Sequence, residues 1–112
     1  MAETWIIHRL RSTFLRENTM LFVLRLLRER EMSEWELLSA LDSGYGLTPS
    51  SKEFRKISGI LAGGGYARVE VSEKARTLRI TAAGTTLLRR LEEEYAAIAR
   101  GCDASGRPVL TR

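Results

Sequence analysis

One histidine, one cysteine and two prolines are all that this chain of 112 residues holds of those types, and each scarcity excludes something. A single thiol, Cys102, cannot close an internal disulfide, which fits a reducing compartment, the cytoplasm. It also has no fixed base or cationic site around it in the sequence, so it does not read as a nucleophile or a redox sensor. His8 stands with no cysteine or carboxylate at metal-ligand spacing, and no metal or other cofactor is expected. Long apolar runs are missing too: the longest, Met20-Leu21-Phe22-Val23-Leu24, falls far short of the ~20 residues that cross a bilayer. It is also too short for a secretory core, and Met1-Ala2-Glu3-Thr4 lacks a basic leader. No constellation of acid, base and nucleophile is visible, so an enzyme is not expected.

What is present is positive charge. Eighteen Lys and Arg face fourteen Asp and Glu, and the pI of about 9.7 favours a polyanionic partner. The placement is uneven. Residues 50–80 hold Lys52, Arg55, Lys56, Arg68, Lys74, Arg76 and Arg79 against Glu53, Glu70 and Glu73, whereas residues 32–49 hold Glu34, Glu36 and Asp42 and no base. A solvated mixed-charge surface does not need that separation, which instead suggests an electrostatic footprint.

Periodicity places the charge on elements. Ile6, Leu10 and Phe14 recur every four residues, flanked by Trp5 and Ile7, and predict a helix over residues 3–16. Asn18 or Thr19 then caps a second helix, reaching about residue 30, whose nearly all-round apolar surface makes it the central one. Ser33-Glu34-Trp35-Glu36 has the form of a capping box and opens a third helix through Leu37, Leu38 and Leu41, ending near Asp42-Ser43-Gly44. After Gly44-Tyr45-Gly46-Leu47, Thr48 is expected to cap a fourth helix with Pro49 in its first position. Phe54, Ile57 and Leu61 form its inward stripe, with Ile60 beside them, and Gly63-Gly64-Gly65 stop it.

Ala67, Val69 and Val71 alternate with Arg68 and Glu70, then Leu78 and Ile80 alternate with Thr77 and Arg79 after a turn at residues 72–75. This period of two predicts a hairpin, which must pack on the helices to be stable. Thr81 opens the last helix, with Gly84 tolerated in its first turn and Leu87, Leu88, Leu91, Tyr95 and Ile98 in one stripe. One domain is expected over residues 1–101, followed by an aperiodic, flexible tail over 102–112.

Helix, helix, helix, helix, hairpin, helix is a mainly α order with a small β-hairpin. It resembles the PadR-like branch of the winged helix-turn-helix transcription regulators, with the MarR-like branch as a near neighbour. The resemblance rests on the buried run 20–31, on Phe54-x-x-Ile57-x-x-x-Leu61-x-x-x-Gly65-Tyr66, and on Leu78-x-Ile80-Thr81-x-x-Gly84. It departs from the PadR-like pattern at Ser33-Glu34-Trp35-Glu36, at Arg55 and at Leu78, where the family commonly shows tyrosines or a small glycine-containing start. The resemblance implies a helix-turn-helix over about 33–62, a wing over about 66–80, a C-terminal helix over about 82–100, and a homodimer on a two-fold-related DNA site.

The expected contacts follow. Arg55 and Lys56 face base edges, with Arg55 suited to address guanine O6 and N7 together. Lys52, Ser50 and Ser51 face phosphates, and Lys74 and Arg76 reach the flanking backbone or minor groove. Arg68 and Arg79 are weaker candidates because Glu70 and Glu73 lie within cross-strand reach. Trp5, Leu10, Phe14, Leu91, Tyr95 and Ile98 are assigned to a dimer seam in preference to a ligand pocket. The plain alternative for the charges is a solvated face. The functional alternative is a winged-helix protein-interaction module, with its partner around Trp35.

Overall fold

The computed structural model describes residues 3–101. Helix α1 spans Thr4–Glu17 and α2 spans Thr19–Glu29. They break at Asn18, which caps by position only. Its side-chain amide turns back to donate to the Phe14 carbonyl at 2.7 Å, and the Thr19 hydroxyl likewise donates to the Arg16 carbonyl at 3.1 Å. Both hydroxyl and amide therefore close the end of α1 and leave the start of α2 without a side-chain cap. Helix α2 is the centre of the core: Leu21, Phe22, Val23, Leu24 and Leu27 are all buried.

Strand β1, Met32–Ser33, is two residues long and was not legible as a strand, because two residues carry no period. Helix α3, Glu34–Tyr45, follows at once. Ser33 Oγ accepts from the Glu36 N–H at 3.1 Å, and the Glu36 carboxylate accepts from the Ser33 N–H at 2.9 Å, so the expected capping box is present. The helix runs past Gly44 because Tyr45 gains a ring contact with Phe22, 4.6 Å between centroids, and it stops at Gly46 with φ of 67°.

Helix α4, Ser51–Gly63, starts later than expected. A second capping box, Ser50 with Glu53, outcompetes Thr48 because it satisfies two donors reciprocally, at 3.1 and 3.2 Å. Pro49 consequently lies ahead of the helix. Of the three glycines that end α4, only Gly65 takes a left-handed φ, 78°.

Strands β2, Ala67–Val71, and β3, Arg76–Ile80, form the predicted hairpin, and β1 adds to it as a third antiparallel strand in the order β1-β3-β2. The register pairs Met32 with Leu78 on one side of β3 and Val69 with Leu78 on the other. Leu78 is thus the middle residue of the middle strand, fully buried against the helices. Helix α5, Ala82–Ala99, is capped by Thr81, which accepts from the Gly84 N–H at 3.1 Å and donates to the Gly65 carbonyl at 2.6 Å. Gly84 is required rather than tolerated: a Cβ there would lie 2.0 Å from the Tyr66 carbonyl oxygen. No described helix is long and apolar enough to cross a membrane. The stretch 102–112, with Cys102, lies outside the described residues.

Candidate nucleic-acid interface

Helix α4 has two sides with opposite chemistry. At 100° per residue, Phe54, Ser58 and Leu61 fall on one side and are buried. Lys52, Arg55, Lys56 and Gly59 fall on the other and are exposed. Ile57 is half-buried at the margin, while Ile60 turns outward. The Ser58 hydroxyl is satisfied by the Arg55 carbonyl at 3.2 Å, which lets a polar residue sit within the buried stripe. Ser58 was not singled out in the sequence, because a lone serine there carries no signal until the stripe's angle is known.

Lys52, Arg55 and Lys56 on α4, Lys74 in the β2–β3 turn and Arg68 on β2 make no ion pair among the described residues. Several arginines elsewhere are paired, although Arg9, Arg11 and Arg16 of α1 and Arg90 of α5 also make no ion pair among the described residues. Arg25 and Arg28 of α2 share Glu92 of α5, Arg30 meets Glu36, and Arg89 meets Glu93. Two hairpin arginines are also held: Arg76 Nε lies 3.2 Å from Glu34, and Arg79 donates twice to Glu31. The cross-strand pairing of Arg79 with Glu70 or Glu73 does not occur, because β1 brings Glu31 closer. Of the two hydroxyls at the start of α4, Ser50 is engaged in the cap and Ser51 stays exposed.

Glu36 is the one described carboxylate held clearly below its usual range. The cause is first the Ser33 backbone N–H and then the Arg30 guanidinium, which both favour the ionised form.

The seam residues separate into two groups. Trp5 and Leu10 stand on α1, which buries no residue at all, and are 62% and 70% exposed. Ile98 is exposed at the end of α5. Leu91 and Tyr95, by contrast, pack on the core, and the Tyr95 hydroxyl donates to Asn18 Oδ1. Phe14 is between the groups, edge-on to Tyr95 at 5.5 Å and to Phe22 at 6.3 Å. An open apolar groove of about 570 Å³ runs between α1 and α5, lined by Ile7, Leu10, Phe14, Tyr95 and Ile98.

Solved structures share this arrangement. A transcriptional regulator from Clostridium thermocellum superposes with a TM-score of 0.69 at 20% identity, covering 79% of this chain and 92% of its own. A winged-helix DNA-binding protein from STIV superposes with a TM-score of 0.64 at 16% identity, covering 78% and 96%. The fold is a winged helix. A PadR family transcriptional regulator from Eggerthella lenta is similar over 90% of this chain and 92% of its own, with a TM-score of 0.68 at 20% identity. No protein-family model matches the sequence, and no curated protein matches it significantly. In winged-helix terms, α3 and α4 are the helix-turn-helix, and the β2–β3 hairpin is the wing.

Proposed function

We propose that this winged helix is a sequence-specific binder of double-stranded DNA that acts in the cytoplasm as a homodimeric, repressor-type transcriptional regulator without enzymatic activity. The observation that carries the reading is the set of unpaired cations on α4, opposite its buried stripe and next to the wing. In water an unpaired surface cation gathers counterions, and releasing them to a phosphate backbone drives association. At Arg25, Arg28, Arg30, Arg76, Arg79 and Arg89 ion pairing has already consumed that gain; on α4 it remains available, beside the wing.

Helix α4 enters the major groove, with Arg55 and Lys56 toward base edges and Lys52, Ser50 and Ser51 toward phosphates, Ser50 through the backbone it caps. Gly59 lies on this face with open space where a Cβ would stand, which lets DNA approach the helix backbone closely. Lys74 meets the flanking backbone. The exposed apolar residues of α1, with Ile98 of α5, pair the protomers and set two α4 helices about one DNA turn, ~34 Å, apart. A bound dimer represses by occluding its site.

Fluorescence anisotropy with mixed-sequence duplex at two salt concentrations tests this directly. Salt-sensitive binding that Arg55→Ala/Lys56→Ala abolishes, with unchanged thermal stability, supports the reading; no binding at low salt ends it. Trp35, 76% exposed on α3, favours the second reading, a protein-interaction module. That reading predicts partner binding lost in Trp35→Ala and retained in the α4 double variant.

A further inference from the structure

We infer that Arg76 positions the wing through Glu34 and does not contact DNA, leaving Lys74 as the cation through which the wing turn does so. The inference rests on the DNA-binding reading above. Alternation along β3 puts Arg76 on the same face as Leu78, the face that meets the helices. Its guanidinium accordingly leans on α3, with Nε 3.2 Å from Oε2 of Glu34. That oxygen is sealed from solvent and accepts no hydrogen bond, so the nearby guanidinium charge is what compensates it. Drawing Arg76 away to a phosphate would strip this oxygen of the charge that compensates it, a cost that favours keeping the guanidinium on α3.

The rest of the wing base repeats the arrangement. Glu31 and Glu34 bracket β1, which is laddered to β3 at Met32↔Leu78 and Ser33↔Thr77, and Glu31 holds Arg79. Two acidic residues, one on each side of β1, therefore take up the two arginines of β3 and fix the strand's angle to α3. Lys74 has no such tie. It is exposed in the turn between the strands, where the Ser72 hydroxyl caps the Lys74 and Ala75 N–H groups and orders the backbone while leaving the ammonium free.

The test compares the parent protein with Lys74→Gln, Arg76→Gln, Glu34→Gln and Glu34→Gln/Arg76→Gln, using duplex anisotropy against salt and thermal unfolding. Lys74→Gln is expected to reduce the salt slope by about 0.9, the value of one phosphate contact. The double variant keeps the parent's net charge and is expected to keep both its slope and, within about twofold, its affinity. Arg76→Gln alone, still folded at the assay temperature, weakens binding about fivefold and lowers Tm, and adding Glu34→Gln restores both. Loss of a full slope unit in the double variant would make Arg76 a phosphate contact and overturn the inference. Unchanged affinity in Arg76→Gln would reduce the pair to a stability contact and overturn it equally. If the parent shows no salt-dependent binding, the DNA reading itself fails, and additive Tm losses would then dismiss the Glu34–Arg76 pair as well.

Discussion

Helices α1 and α4 are nearly the same length, 14 and 13 residues, and both are amphipathic in sequence, yet the fold treats them in opposite ways. On α4 the apolar stripe is buried and the charged side is left unpaired. On α1 no residue is buried, and Trp5, Ile6, Ile7 and Leu10 all face outward. The periodic pattern states that a helix has a face to hide; it does not state against what. For α4 the partner is within the chain, where the core closes over Phe54 and Leu61. For α1 the described chain covers only the C-terminal part, where Phe14 meets Phe22 and Tyr95 and Leu15 packs on the core, which is why the dimer reading centres on its exposed start.

The comparison can be broken at its strongest point first. Phe54→Ala or Leu61→Ala should destabilise the monomer by about 3–5 kcal/mol in urea unfolding, because each opens a cavity under α4. Equal truncations on α1 should do something different. Trp5→Ala/Leu10→Ala should leave monomer unfolding within about 0.5 kcal/mol, as for other exposed positions. The same pair should weaken self-association by about 2 kcal/mol or more in sedimentation, the scale of an interface hot spot. A monomer at high concentration in the parent protein would reverse this half of the comparison and leave α1 without an explanation. On the charged side of α4, Arg55→Ala should weaken duplex binding by about 1–3 kcal/mol at unchanged Tm; a loss of Tm instead would show that the cations are structural after all.

The smallest effect concerns the caps. Glu36 is held below its usual carboxylate range, so its ionised form is favoured in the folded state. Its contribution is present above the unfolded carboxylate value of 4.5 and is lost as pH falls through the lower folded one. Glu36→Gln should therefore flatten the acid limb of a stability–pH profile. A limb unchanged in that variant would show that the Ser33–Glu36 box adds nothing.

Much of this was legible beforehand, and the gaps have local causes. The Ser33–Glu36 capping box was readable because its partners are three residues apart and need nothing else. The equivalent box at Ser50–Glu53 was overlooked in favour of Thr48-Pro49, since a proline at a helix start is a strong signal that a reciprocal cap two residues later overrides. The cationic side of α4 was visible because charge and period are both sequence properties. That Arg76 and Arg79 are engaged was not, because their carboxylates lie more than forty residues away in sequence.

By itself the sequence determined the order of elements, the buried side of α4, and the excess of positive charge there and in the hairpin. All of these follow from propensity, period and charge within a dozen residues. The tertiary structure alone decided that β1 joins the sheet, that Gly84 must lack a side chain, and which cations remain free. Each depends on distant segments meeting: Met32 beside Leu78, Gly84 against the Tyr66 carbonyl, Glu34 against Arg76. Local pattern fixes which surfaces exist, and only the meeting of distant surfaces decides which of them stay open.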